Sequence, residues 1–131
     1  MMSNRILVCV DDDASILQML QYQLELVLDG KACITEFYED AGEAIRAIDS
    51  MIQNGLDVVA VLVDYQMPHI NGSVLVRKLK ASYPNLKCIM LSGQANEVQI
   101  DELLSEKLLD AFISKPWSTE DLSTTLTKYI Q

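Results

Sequence analysis

Four apolar runs in this chain each end on a residue able to do chemistry. Asp11-Asp12-Asp13 follows Ile6 to Val10, Asp64 follows Val58 to Val63, Ser92 follows Lys87 to Leu91, and Lys115 follows Ala111 to Ser114. Each has an ordinary explanation by itself. An aspartate run after a strand is more often a solvated turn with a helix cap, and a lone strand-end aspartate is usually a turn residue. Ser92-Gly93 reads as a turn, and Lys115 as a solvated surface lysine. Together they make one coherent demand. Crowded carboxylates repel, and at least one has a raised pKa unless a cation lies among them. A hard divalent ion with oxygen ligands answers this. Mg²⁺ suits the set because it takes one or two carboxylates, keeps waters and completes its octahedron with phosphate oxygen. Lys115 as a point charge and Ser92 as a hydroxyl donor could then hold the remaining phosphoryl oxygens. That leaves Asp64 as a carboxylate nucleophile forming an aspartyl phosphate. Phosphoryl transfer asks mainly for alignment and charge neutralisation, which this set supplies.

The elements that must carry these residues alternate. Ile6 to Val10 reads as a fully buried strand. A helix over about Ala14 to Leu28 follows, with Ile16, Leu20, Leu24 and Leu28 on one face, Asp13 as N-cap and Gly30 as the stop. Cys33 to Tyr38 reads as a strand and Ala41 to Gln53 as a helix stopped by Asn54-Gly55. Val58 to Val63 is a wholly apolar strand, and Asn71-Gly72 opens a helix that runs through Ser82 and is closed by Pro84. Then come a strand over Lys87 to Leu91, a helix over Glu97 to Leu109, a strand over Ala111 to Ser114, and a helix over Thr119 to Ile130 capped by Ser118. Strict β–α alternation with short connections predicts an α/β fold with right-handed crossovers and a parallel sheet covered by helices on both faces. In such a sheet the carboxyl ends of the strands share one edge, where ligands bind.

Composition narrows the function. The 131 residues, 50% hydrophobic, are enough for one domain with its own core, and residues 1–131 read as that single domain. The chain stops just after the fifth helix, so no output domain is expected within it. Ten basic against 19 acidic residues leave a net charge of −9. That balance argues against nucleic-acid and membrane-surface binding. There is no apolar run long enough to span a membrane and no signal-peptide pattern at Met1 to Arg5. Cys9, Cys33 and Cys88 form no CxxC and no disulfide framework, and read as buried reduced thiols of a cytoplasmic protein. Neither GxGxxG nor GxxxxGK[ST] occurs, so no dinucleotide or nucleotide site is indicated. His69 reads as a solvated loop residue.

Val8-Cys9-Val10-Asp11-Asp12-Asp13, Val61 to Pro68 with Gly72, Met90-Leu91-Ser92-Gly93 and Phe112 to Trp117 resemble a response-regulator receiver domain of two-component signalling. The resemblance covers essentially the whole chain, and D-x-x-M-P-x-x-x-G with the acidic pair and K-P is specific. It implies a flavodoxin-like (βα)₅ fold with strand order 2-1-3-4-5. It implies Asp64 as phosphoacceptor, Asp12 as a direct Mg²⁺ ligand (with Mn²⁺ as a substitute) and Asp11 acting through metal-bound water. Gln66 would lend its backbone carbonyl to the metal. By the same resemblance Ser92 is the switch hydroxyl, Lys115 binds phosphate, Phe112 is the rotating aromatic, and the Lys115–Pro116 bond is cis. Gln66, Gly93 and Gln94 would flank the phosphoryl group. The donor would be a histidine kinase or phosphotransfer protein. The output would be an effector domain, a partner or a second copy of the domain on the face from Glu97 to Tyr129.

The chain departs from the family where many receivers carry Gly-Ala before the fifth strand. Lys107-Leu108-Leu109-Asp110 stands there instead, and with Trp117 it is similar to receivers joined to HD-GYP or other signalling-enzyme domains. Trp117, directly after Lys115-Pro116, is expected near the phosphate edge, with packing at the start of the last helix as the plainer role. Two other function classes stand beside the switch. One is a pseudo-receiver acting as a phosphorylation-independent interaction module. The other is a hydrolase with an aspartyl-phosphate intermediate, which Gln66 disfavours because that class usually has a second aspartate at that position.

Overall fold

The computed structural model describes residues 4–67, 70–93 and 98–130. Five strands, β1 (Arg5–Val10), β2 (Ile34–Tyr38), β3 (Asp57–Asp64), β4 (Cys88–Ser92) and β5 (Ala111–Ser114), alternate with five helices. The helices are α1 (Ala14–Val27), α2 (Ala41–Gln53), α3 (Gly72–Ser82), α4 (Val98–Ser105) and α5 (Thr119–Leu126). The strands form one sheet in the order β2-β1-β3-β4-β5, and all four pairings are parallel. This is the strand order expected of a flavodoxin-like fold.

The helices start where their caps are. The Asp13 carboxylate accepts from the Ser15 backbone N–H at 2.9 Å and from its hydroxyl at 2.6 Å. Asn71 caps α3 through Val74 N–H at 3.0 Å, and Ser118 forms a reciprocal capping box with Asp121. Such caps are each worth about 1 kcal/mol. On α1 the buried residues Leu17, Leu20, Leu24 and Val27 recur at spacings of three and four. Two cores result. Residues of α2, α3 and α4 pack on one face of the sheet around Val8, Val61 and Met90. Residues of α1 and α5 pack on the other around Leu7, Leu62 and Ile89. The inner strands β1, β3 and β4 are buried on both faces, as their unbroken apolar sequences predict.

Several boundaries differ from the sequence reading. Strand β2 begins at Ile34 rather than Cys33, and β4 runs one residue later than Lys87 to Leu91. Helix α4 ends at Ser105, well short of Leu109. Lys107 adopts a left-handed conformation (φ 61°), and the N–H groups of Lys107 and Leu108 return to the carbonyls of Leu104 and Leu103 at 3.1 and 2.9 Å. That arrangement closes the helix and turns the chain toward β5. Helix α5 ends at Leu126, followed by a turn, instead of continuing to Ile130. Cys9 and Cys88 are buried, but Cys33 is only half-buried because it precedes an edge strand; all three are free thiols. No helix among the described residues is long and apolar enough to cross a membrane.

Candidate functional site

The fold brings the chemistry-bearing residues to one sheet edge. Asp11 and Asp64 are buried and Asp12 is exposed, and one carboxylate oxygen from each lies within 4.8 Å of the other two. Asp64, the last residue of β3, accepts a hydrogen bond from Lys115 Nζ at 2.7 Å through Oδ1. The strand ends are tied across the edge: Tyr65 N–H donates to Leu91 O at 3.0 Å, and Lys115 N–H to Ser92 O at 2.8 Å. Ser92 is buried at the end of β4, beside Lys115.

Glycine at position 72 is demanded by this packing. A Cβ there would stand 2.5 Å from Asp64 O and 2.9 Å from Tyr65 Cα, both backbone atoms that cannot yield. Gly72 therefore lies directly against the backbone of Asp64 and Tyr65, held there by its N–H donating to Tyr65 O at 2.8 Å.

The electrostatics are those of an acid surplus. Burial is the main reason the Asp11 carboxyl is pushed up to about 6; the Asp13 N–H opposes it, and the Asp64 and Asp12 charges add to it. Asp64 is also raised, with burial outweighing its bond to Lys115. Asp11 Oδ1 accepts from the Asp13 N–H at 2.9 Å, but the buried Oδ2 has no hydrogen-bond partner among the described residues. An unpartnered, buried carboxylate oxygen within reach of two further carboxylates fits a hard divalent cation such as Mg²⁺.

Other anticipated residues fall around this center. Gln66 is exposed, and its backbone N–H donates to the Asp64 carboxylate. Among the described residues, a Cβ at Gly93 would come no nearer than 4.0 Å, to Lys115 Cβ. The Lys115–Pro116 peptide is cis. Phe112 is half-buried on β5, on the same side of the pleat as Met90 and Ser92, against the α3 and α4 core. It borders a 340 Å³ cavity with Pro116 and Thr124. Pro68, His69, Gln94 and Glu97 lie outside the described residues. Trp117 takes the packing role named for it and also borders the edge beside Lys115. Its indole is buried in the α1–α5 core, and Nε1 donates to Gln23 Oε1 of α1 at 2.8 Å. Only its outer side reaches the edge region, in an apolar cavity of 310 Å³ shared with Ile16, Met19 and the stem of Lys115.

One polar cluster was not anticipated. At the opposite edge, Asp110 Oδ2 accepts from the buried Lys80 Nζ and from Cys88 N–H, both at 2.9 Å, and Lys87 Nζ lies 3.8 Å from Oδ1. The available signal was Lys80 at an inward position of α3, four residues after Val76 and next to Leu79.

The comparisons agree with this architecture. Residues 7–127 match the response regulator receiver domain family. Among curated relatives, the sensor protein TorS of Escherichia coli is 36% identical over 93 residues, covering 69% of this chain and 10% of that protein. The sensor kinase CckA of Brucella abortus is 29% identical over 92 residues, covering 70% and 10%. The chain thus spans about a tenth of the length of these relatives. Among solved structures, a CheY-like response regulator receiver domain protein from Methanospirillum hungatei superposes with a TM-score of 0.78 at 28% identity, covering 98% of this chain and 93% of that one. The signal receiver domain of an HD domain-containing protein from Pseudomonas fluorescens also gives 0.78, at 24% identity and coverages of 95% and 93%, a likeness of fold alone. With the sheet order, the edge that gathers the aspartates and a family match over nearly its whole length, the chain belongs to the response regulator receiver domains.

Proposed function

We propose that residues 1–131 form a single, cytoplasmic receiver module that accepts a phosphoryl group on Asp64 and switches a distant face in response. The carrying observation is the Asp64 carboxylate bonded to Lys115 at 2.7 Å beside the unpartnered Oδ2 of Asp11. An Asp64 oxygen attacks the phosphorus of a phosphohistidine on a histidine kinase or phosphotransfer protein. The P–N bond breaks, its electron pair stays on the imidazole nitrogen, and that nitrogen takes a proton. Asp11, Asp12, Asp64 and the Gln66 carbonyl would hold Mg²⁺ or Mn²⁺, which supplies charge neutralisation for the transferring group. Lys115 exchanges its bond to Asp64 for one to a phosphoryl oxygen, and the Ser92 hydroxyl donates to another. Gln66 and Gly93 flank the group, and with Gln94, placed there by the family resemblance, they would set water access.

Phosphorylation adds up to about two negative charges at Asp64. Ser92 moves toward them, and Phe112, on the same side of the sheet, turns into the vacated space. Its inward state buries no hydroxyl that would need a partner. The face from α4 through β5 to α5 changes as a result, and an effector, a partner or a second copy reads it. Intact-mass measurement after acetyl phosphate treatment tests this reading. Wild type gains one phosphoryl group only with Mg²⁺ or Mn²⁺ present, and Asp64→Asn gains none. Equal labelling of both proteins removes Asp64 as acceptor. An unlabelled wild type in the presence of the metal leaves a phosphorylation-independent interaction module.

A further inference from the structure

Lys107-Leu108-Leu109-Asp110, where the chain departs from the family, lies at the sheet edge opposite the aspartate cluster. Asp110 engages every polar atom it has. Its N–H donates to Cys88 O at 2.9 Å, and Oδ2 accepts from Cys88 N–H and from Lys80 Nζ, both at 2.9 Å. Oδ1 faces Lys87 Nζ at 3.8 Å, and the carbonyl accepts from the Tyr129 hydroxyl at 3.4 Å. One residue thereby joins α3, β4 and the turn after α5. The N–H groups of Leu108 and Leu109 both return to Leu103 O, at 2.9 and 3.3 Å, and Leu103, Leu109 and Cys88 are buried in the core beside them. On the outside of the same corner, Arg77 of α3 pairs with Glu106 at 2.7 Å.

The other end of β5 is built differently. The strand runs about 10 Å from Ala111 to Ser114 at about 3.3 Å per residue. Phe112 is half-buried and borders the 340 Å³ cavity with Pro116 and Thr124. At this end a side chain has room to move. At the Asp110 end, displacement would separate Asp110 from the buried Lys80. A buried ammonium without its counter-charge costs more than the coupling that a typical switch transmits. The ties at the corner are therefore stronger than the signal that reaches them.

We propose that Asp110 is a fixed pivot of the switch. When Asp64 is phosphorylated, the Phe112 end of β5 and the first turn of α4 rearrange, while the corner that joins α3, β4 and the turn after α5 stays in place. This rests on the switch reading above and divides its output face in two. The half near Phe112 reports phosphorylation. The half near Lys107 and Tyr129 is presented alike in both states. A partner that touches both halves binds in either state and gains from phosphorylation only what the Phe112 half adds.

Amide exchange with and without Mg²⁺ and beryllofluoride tests the pivot. In wild type the ligand changes exchange severalfold over residues 98–101 and 112–114 and leaves 106–110 and 126–130 unchanged. Lys80→Met/Asp110→Asn removes both charges together, so neither is stranded, and the side-chain carbonyl at position 110 still accepts from Cys88 N–H. In that protein the response spreads to 106–110. Tyr129→Phe, which loses only a hydroxyl, spreads it to 126–130. Both variants take phosphate from acetyl phosphate like wild type, which shows that they fold. A wild-type response as large at 106–110 as at 112–114 overturns the pivot and leaves the switch reading standing. So does a response that stays confined in both variants. A wild type in which no amide responds overturns the switch reading and the pivot with it.

Discussion

The sheet carries a lysine–carboxylate pair at each end, alike in distance and opposite in use. At one end Lys115 lies 2.7 Å from Asp64; at the other Lys80 lies 2.9 Å from Asp110. Asp110 is saturated: two lysines and the Cys88 N–H converge on one carboxylate, and the Asp110 N–H returns to Cys88 O at 2.9 Å. Among the described residues the Asp64 end is unsaturated, with one ammonium against three carboxylates and one buried oxygen left unpartnered. A pair whose hydrogen-bonding capacity is filled inside the protein acts as a strut between α3, β4 and β5. A pair short of positive charge leaves room for a cation, and on the proposed function for a phosphoryl group.

The largest effect that can break this comparison is at the saturated end. Asp110→Leu strands the buried Lys80 ammonium and lowers stability by about 3–5 kcal/mol. Lys115→Met also leaves a carboxylate behind, but burial already raises the pKa of Asp64, so it can take a proton instead of standing charged and unpaired, and the loss is smaller than for Asp110→Leu, while phosphate acceptance is lost. Urea denaturation of the two variants checks this, and equal losses would erase the distinction between strut and reactive pair.

The next effect is a pH dependence at the unsaturated end. The folded Asp11 carboxyl titrates near 6 against 3.8 for its ordinary value, so between these values the folded protein holds the extra proton. The metal-free protein is therefore favored at low pH and loses this stabilisation as pH rises from about 4 through 6. Measured as melting temperature relative to Asp11→Asn, wild type declines across that window. Saturating Mg²⁺ cancels the decline and adds about 2.7 kcal/mol at a hundred times its dissociation constant. A flat difference without metal would mean that the carboxylate is not held in this environment.

A smaller change sharpens the structural assignment of the Asp110 end. Lys107→Gly relieves a left-handed residue and gains about 1 kcal/mol, with the rate of Asp64 phosphorylation unchanged. A gain in stability accompanied by altered phosphorylation would couple the two ends. The smallest effect concerns lifetime. Gln66 and Gln94 lack a carboxylate to act as base, so hydrolysis of the aspartyl phosphate is of intermediate speed, tuned by amides that orient water. If Gln66→Ala and Gln94→Ala both leave the dephosphorylation rate unchanged, the amides take no part.

The sequence by itself determined the alternation of elements, the parallel sheet and the edge at which Asp11, Asp12, Asp64, Ser92 and Lys115 meet. Each of these rests on local information: an apolar run buried on both faces stops where polar residues begin at the sheet edge, and each cap lies within a turn of its helix. Tertiary structure alone decided what depends on partners far along the chain. Lys80 meets Asp110 across 30 residues and Trp117 meets Gln23 across 94, and no periodicity announces either bond. The early end of α4 was hidden for a related reason, because Leu108 and Leu109 continue its apolar pattern while packing from the turn. Gly72 was legible as part of a motif, but its necessity became visible only with Asp64 O at 2.5 Å from where a Cβ would stand. The exposure of β2 belongs to the same class, because which strand ends at the sheet edge depends on the order in which the strands pair.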